Sequence, residues 1–99
     1  MNRDERLAEN EAWFRRVNEG IDKATVGGTE SVFCECANLA CRWRLEIDPA
    51  EYRRVRRNER WFIVLPGHEA PEIETLVEEF GRFNVVAKRD HVAHVVQAA

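Results

Sequence analysis

The amino-acid sequence predicts a single α+β domain, in which an N-terminal helix is followed by a small, mainly antiparallel sheet with a short helix inserted. Apolar residues recur at helical spacing near the start of the chain, whereas later segments alternate or run continuously apolar. All three cysteines fall within eight positions, which indicates a compact turn. With 99 residues and 44% apolar content, the chain can close one modest core.

The first predicted element is an amphipathic helix from about Asp4 to Lys23. Its apolar stripe consists of Leu7, Phe14, Val17 and Ile21, with Trp13 at its flank. The glycine pair in segment 24–31 ends the helix, because it gives the backbone a freedom that helices avoid. Residues 1–30 are therefore the helix and a Gly-containing linker, and residues 31–99 are the α+β module. The stripe can pack on this domain or pair with another protomer.

Two short segments, 31–36 and 42–47, are predicted to pair as a hairpin around the cysteines. In the second segment Trp43, Leu45 and Ile47 alternate with charged residues, which is typical of a strand with one buried face. We expect these three side chains to point inward.

A complete helix start signal follows this strand. Asp48 is in the N-cap position, Pro49 is the first helical residue and Glu51 is the third. These residues predict a helix from 49 to about 58.

The last third of the chain contains one ambiguous segment between two strands. The apolar run 61–65 is too short for most helices and predicts a buried central strand that ends at a Pro-Gly turn. Residues 72–80 have helical spacing, yet the FGRF that follows suits a tight hairpin turn, and we favour the hairpin. One face of this hairpin would consist of Leu76, Phe80, Phe83, Val85 and Ala87. Residues 83–88 form a strand in either case, and Asp90 is expected to cap a last helix through Val96.

The segment FCECANLAC combines three thiols in one tight turn. Residues two apart in a strand point to the same side, so Cys34 and Cys36 can present both sulfurs to one point. Four residues then return the chain to Cys41, and Asn38 suits the left-handed conformation that such a return commonly requires. Three thiolates from one turn are typical of a tetrahedral zinc site. We therefore expect residues 34–41 to form a zinc knuckle that needs one further ligand.

A histidine is expected to complete this site. His68 follows the predicted central strand after a tight turn. His91 and His94, three residues apart on the last helix, are the alternative source. Three cysteines and one histidine favour a structural zinc ion, with a 2Fe-2S cluster and a metal-free cluster as alternatives. A site closed by four protein ligands has no open position, and no catalytic triad pattern is evident, so we expect no enzyme.

The predicted second helix carries a dense set of cations: Arg53, Arg54, Arg56, Arg57 and Arg60. Guanidinium groups at this density can contact phosphates. The alternative is a solvated helix whose cations pair with nearby acids, and we favour it because the net charge of the chain is -3. Nucleic-acid binding through residues 49–60 is therefore the second hypothesis.

The sequence also predicts the cellular compartment of the protein. No apolar run precedes Trp13, so neither a secretory signal nor a membrane span is expected there, and we predict a cytoplasmic protein with no membrane partner. In a reducing cytoplasm, three cysteines are expected as thiols or thiolates rather than disulfides.

Four segments occur in this order within residues 9–88: NEAWFRRVNEGI, FCECANLAC, DPAEYRRVR and VLPGHE. Their combination resembles a group of short uncharacterised bacterial proteins that carry an FCEC...C segment followed by PGHE. The resemblance implies that four residues act as one unit: Cys34, Cys36, Cys41 and His68. It implies no activity. The chain departs from the pattern at Leu39, where a polar residue is expected.

We therefore expect a small intracellular protein with structural zinc that mediates protein interaction or regulation without catalysis. Its partner is expected to be another protein, or a second copy bound through the N-terminal helix. The alternatives are a nucleic-acid-binding regulator that uses the arginine-rich helix, and a redox or iron-sulfur protein that uses the three cysteines and one histidine.

Overall fold

The computed structural model describes residues 1–97, which form three helices and five strands. Their order is α1 Arg3–Ala24, β1 Glu30–Phe33, β2 Arg44–Ile47, α2 Pro49–Arg56, β3 Trp61–Val64, β4 Glu74–Glu79, β5 Asn84–Lys88 and α3 Asp90–Val96. Strands β1 and β2 form one antiparallel sheet, and β3, β5 and β4, in that order, form a second. The predicted α+β class, with an N-terminal helix and a short helix inserted between antiparallel strands, is confirmed.

Helix α1 is fixed by a capping box and by a buried face. The Asn2 side chain accepts a hydrogen bond from the Glu5 N–H (2.8 Å), and the Glu5 carboxylate accepts one from the Asn2 N–H (3.0 Å). Ala12 and Phe14 are buried where the helix packs against α3 and β1. The helix therefore buries one face within the domain, while Trp13 at the flank of that face stays 45% exposed.

The hairpin of β1 and β2 is paired over four residues in each strand. Leu45 and Ile47 are buried as predicted, but Trp43 is 65% exposed, so its predicted inward orientation is wrong. Trp43 lies one residue before β2; its carbonyl still accepts a hydrogen bond from the Cys34 N–H (2.9 Å), but its side chain lies outside the buried face of the strand.

The ambiguous segment forms strand β4, which confirms the hairpin interpretation and excludes the helix. Gly81 turns the chain towards β5 with a φ of 80°, a left-handed conformation that glycine adopts without strain. Strand β5 pairs with β4 on one side and with β3 on the other. The middle strand of this sheet is therefore β5 rather than β3, which was predicted to be central.

A bulge in β4 divides the face that was predicted for this hairpin. The register shifts between Leu76 and Glu78, so one extra residue reverses the alternation of the strand. Leu76 lies opposite Val86, whereas Phe80 stacks on Phe83 with ring centroids 4.9 Å apart on the other face. The single face predicted for five residues is therefore wrong. Those residues are Leu76, Phe80, Phe83, Val85 and Ala87.

Strand β3 is buried on both faces, as its continuous apolar run predicted. Phe62 and Val64 lie in an apolar cluster that also contains the three cysteines and residues of α1 and α3. Ile63 lies in a second cluster with Tyr52 of α2 and residues of the first sheet. The cysteine turn is therefore part of the core that joins the helices to the larger sheet.

The two short helices begin differently. Asp48 caps α2 as predicted, since its carboxylate accepts a hydrogen bond from the Ala50 N–H at 2.8 Å. Helix α3 begins at Asp90, but its N-cap residue is Arg89 and makes no side-chain capping bond. The Asp90 carboxylate instead accepts a hydrogen bond from the Arg60 guanidinium at 2.7 Å. The predicted capping role of Asp90 is therefore wrong.

A buried charge cluster connects α1 to the larger sheet. Lys88 of β5 lies 2.5 Å from the Glu11 carboxylate and also contacts the Glu74 carboxylate, and the three side chains are at most 1% exposed. The ammonium group lies 4.3 Å from the centroid of the Phe62 ring. Burial raises the pKa of Glu11 well above its usual range, and the Lys88 charge partly opposes this. The cluster fixes α1 on the sheet, because removing Lys88 would leave two buried carboxyl groups without a cation.

Candidate metal centre

The cysteine turn is built by an asparagine side chain. The Asn38 side-chain oxygen accepts a hydrogen bond from the Ala40 N–H (2.9 Å), and the Asn38 carbonyl accepts one from the Cys41 N–H (2.9 Å). The predicted left-handed conformation of Asn38 is wrong, since its φ is not positive. An Asx turn returns the chain instead and brings Cys41 back towards Cys34 and Cys36.

The four predicted ligands converge on one point. His68 Nδ1 lies 3.7 Å from the Sγ atom of Cys34 and 3.8 Å from that of Cys41. The ligand atoms of these residues and of Cys36 all lie within 4.8 Å of one another. Around one zinc ion, with Zn–S of about 2.3 Å and Zn–N of about 2.0 Å, tetrahedral geometry separates sulfur and nitrogen by roughly 3.5 Å. The cluster of three cysteines and one histidine can therefore hold a metal ion.

His68 reaches the cluster through the turn that follows β3. The backbone N–H of His68 donates to the Leu65 carbonyl (2.9 Å). Gly67 has a φ of 91°, a left-handed conformation that glycine adopts without strain. The alternative histidines lie elsewhere. His91 and His94 bind carboxylates at the start of α1, each at 2.9 Å, so their imidazoles tie α3 to α1. Of the two histidine sources predicted, the structure brings His68 to the cysteines.

Hydrogen-bond donors surround the knuckle. The Leu65 N–H donates to the Cys34 sulfur at 3.2 Å, an interaction that stabilises a thiolate. The Arg42 guanidinium donates to the carbonyls of Leu39 (2.5 Å) and Cys41 (2.8 Å) and so places a positive charge beside the turn. A site of three thiolates, one neutral imidazole and a divalent ion has a net charge of about -1, which these donors offset.

Glu35, between two of the cysteines, fixes the knuckle from behind. Its side chain is fully buried. Its carboxylate accepts hydrogen bonds from the Asn18 amide (2.9 Å), the Tyr52 hydroxyl (3.0 Å) and the Ile63 N–H (3.0 Å). The Arg56 guanidinium lies 3.8 Å away and balances the charge. Hydrogen bonds from this many donors hold the carboxylate in one position.

The role of Glu35 was not predicted from the sequence. Residues 34–36 lie just beyond β1, which ends at Phe33 rather than at 36 as predicted, and nothing in the sequence indicates which residues meet the Glu35 side chain. The backbone N–H of Glu35 also donates to the Ile63 carbonyl at 2.7 Å, so the backbone of the knuckle lies against β3. Because β3 leads directly to the turn that carries His68, this contact places all four ligands side by side.

The three thiols share their protons unequally. The pKa of Cys36 is lowered to about 5, chiefly because its sulfur accepts a hydrogen bond from the Cys34 thiol, although burial opposes the shift. The same hydrogen bond, together with burial, raises the pKa of Cys34. Burial raises the pKa of Cys41. Negative charge therefore concentrates on Cys36, and a bound cation would replace the protons of the other two thiols.

Two of the arginines that were predicted to contact phosphate bind other groups of the same chain. The Arg56 side chain is only 11% exposed, donates to the Trp61 carbonyl and lies beside Glu35. Arg60 donates to Asp90 at 2.7 Å and to a backbone carbonyl of β5. Both cations therefore hold elements of the fold together.

The remaining three arginines lie on the outer side of α2. Arg53 pairs with Asp22 at 3.2 Å, and Arg54 pairs with two glutamates at 2.6 and 2.7 Å. Arg57 is exposed. The pattern has the features of a solvated helix whose cations pair with acids, and nucleic-acid binding by this helix stays a prediction.

No protein-family model, curated protein or solved structure matches this chain. The resemblance to short bacterial proteins with FCEC and PGHE segments therefore stays a prediction, and the chemistry of the site rests on its own geometry. Within residues 1–97, none of the helices combines the length and the apolar composition needed to cross a bilayer.

Proposed function

We propose that this protein binds one zinc ion in a structural site and acts as a non-catalytic protein-interaction module inside the cell. The convergence of Cys34, Cys36, Cys41 and His68 within 4.8 Å carries this proposal. Thiolate and imidazole are the ligands that zinc prefers in structural sites. Four protein ligands leave no open coordination position, which supports a structural rather than a catalytic role.

The spacing of the ligand atoms favours a single ion over an iron-sulfur cluster. In a 2Fe-2S cluster, each iron takes two protein ligands, and the two pairs lie on opposite sides of the bridging sulfides. Ligands on different irons are then further apart than ligands of one ion. The close mutual spacing of all four atoms, including two S···N separations of 3.7 and 3.8 Å, matches one tetrahedral ion.

The interaction role rests on a groove between α1 and the knuckle. Its cavity of about 330 Å³ is lined by Trp13 and Glu9 of the helix and by Leu39 and Arg42 of the knuckle. Trp13 and Leu39 are 45% and 48% exposed and lie together in this groove, so they form one apolar patch. We propose a second copy of the chain as the occupant, because each copy offers an acid on one wall and a guanidinium on the other. Glu9 pairs with Arg16 at 3.2 Å within the chain, and this exposed ion pair can open at little cost. Two copies related by a twofold axis can therefore pair Glu9 with Arg42 in both directions.

Metal analysis of the purified protein tests the zinc site. We expect about one zinc per chain and no visible absorption, because zinc has a filled d shell. His68→Ala should lower zinc retention strongly, whereas His91→Ala, which removes a histidine outside the site, should leave it unchanged. Coloured protein would support the iron-sulfur alternative. Metal-free, fully folded protein would contradict the proposal.

A further inference from the structure

A cavity of about 520 Å³ lies directly against the metal centre. Two of the four ligands, Cys36 and His68, form part of its wall together with Ala37 of the knuckle and Arg3 of α1. Cys34 and Cys41 do not line it. The edge of the ligand cluster formed by Cys36 and His68 therefore faces an open space, whereas at the opposite edge Cys34 is 0% and Cys41 is 7% exposed.

The two edges differ in how firmly they are held. Cys34 is fully buried and its sulfur accepts the Leu65 N–H, so protein covers this ligand. The Cys41 carbonyl is held by Arg42. His68 is only half-buried and lies on a short turn after β3. Its imidazole is therefore the ligand that solvent and small molecules reach most easily.

We infer that this cavity is the route of metal exchange, an inference that rests on the proposed zinc site. An incoming chelator enters the cavity, and its donor atom forms a bond to the ion while the bond to His68 breaks. The released imidazole stays neutral or takes a proton from solvent, and no electrons are transferred. Zinc can expand briefly to five ligands, which allows this exchange without unfolding. Metal release can then begin in the folded protein, and unfolding follows the loss of the ion rather than preceding it.

The cavity wall indicates the class of ligand that enters. The Arg3 side chain is 69% exposed and pairs with the Glu72 carboxylate at 3.2 Å on the same wall. An exposed ion pair of this kind opens at little cost, so the guanidinium can bind an anionic ligand instead. The wall also carries the Glu69 and Glu72 carboxylates, so Arg3 is the one guanidinium among its lining residues. We therefore expect the exchange rate of anionic chelators, but not that of neutral chelators, to depend on Arg3.

Transfer of zinc from the loaded protein to pyridylazoresorcinol, followed by absorbance, tests the route. We expect a release rate that rises in proportion to chelator concentration. Ala37→Phe narrows the cavity and should slow release by about tenfold, which corresponds to a barrier about 1.4 kcal/mol higher. Zinc affinity and unfolding temperature are measured on the same variant, and slower release with both retained supports the route. Ala50→Phe, at an exposed position of α2, is the matched control and should release zinc at the wild-type rate.

A second variant keeps the test decisive if Ala37→Phe does not fold. Arg3→Gln should slow release to the anionic chelator EDTA but not to neutral phenanthroline, whereas Arg6→Gln, also exposed on α1, should change neither rate. A rate that is independent of chelator concentration and equal to the rate of global unfolding would overturn the inference alone. Protein that binds no zinc would overturn the proposed function before any rate is measured.

Discussion

At the scale of single residues, the metal centre depends on a carboxylate that binds no metal. Glu35 is surrounded by donors only: an amide N–H, a hydroxyl and a backbone N–H, with one guanidinium at 3.8 Å. An isosteric amide at this position would turn two donor groups of its own towards these donors. The buried polar contacts would then be left unsatisfied, which is costly in a water-free site.

Glu35→Gln is therefore expected to lower the free energy of unfolding of the zinc-loaded protein by about 3 kcal/mol. Glu46→Gln, an exposed glutamate of β2, is the matched control and should change it by less than about 0.5 kcal/mol. Urea denaturation of both variants measures the difference. Equal stability of the two variants would show that the buried carboxylate does not support the knuckle.

A second carboxylate gives the stability of the protein a pH dependence. Glu30 is buried and neither of its oxygens has a hydrogen-bond donor among the described residues. Burial and the neighbouring Asp22 carboxyl raise its pKa to about 7. The neutral form is therefore favoured by folding. Its stabilising contribution is complete below pH 4.5, the ordinary value, and is lost as the pH rises through about 7.

Glu30→Gln is accordingly expected to be more stable than the wild-type protein at pH 8, because the amide cannot ionise. At pH 5, where the wild-type carboxyl is largely protonated, the two proteins should have similar urea midpoints. Comparing Glu30→Gln with the wild-type protein at each pH cancels the effect of all other titrating groups. A stability difference of the same size at both pH values would rule out the Glu30 carboxyl as its source.

At the scale of elements, the sequence predicts local structure well and contacts between elements poorly. The α2 cap, the closely spaced cysteines and the turn to His68 follow from patterns within a few residues, because capping and turn chemistry are local. The bulge in β4 has no such signal, so the predicted face of that hairpin was wrong. Trp43 was misplaced for a related reason, since where pairing begins depends on both strands.

The residues that donate hydrogen bonds to Glu35 were also not predictable from the sequence. Asn18 comes from the middle of a helix that was predicted by its apolar stripe alone, and Arg56 comes from a helix that was predicted to be solvated. Neither residue differs in type from its exposed neighbours. Only tertiary packing makes them part of the site, which is why the four ligands were predictable and the residues that hold them were not.

At the scale of the whole molecule, the knuckle forms a wall of two cavities. One cavity lies against Cys36 and His68, and the other lies between the knuckle and α1 beside Trp13 and Leu39. The Asn10 side chain joins the helix to the knuckle by donating to the Ala37 carbonyl at 2.8 Å. A metal ion that fixes the knuckle would therefore also fix one wall of the proposed interaction groove, which couples zinc binding to association.

This coupling predicts that the zinc-loaded protein dimerises and that chelation of the zinc weakens the dimer. Trp13→Ser should raise the dissociation constant by about thirtyfold, equivalent to about 2 kcal/mol for a central tryptophan of an interface. Trp43→Ser is the matched control, because Trp43 is 65% exposed but does not line the groove. Sedimentation velocity over a range of concentrations measures both constants. Equal effects of the two variants would exclude the groove as the interface, and a protein that stays monomeric with zinc would require a different protein as the partner.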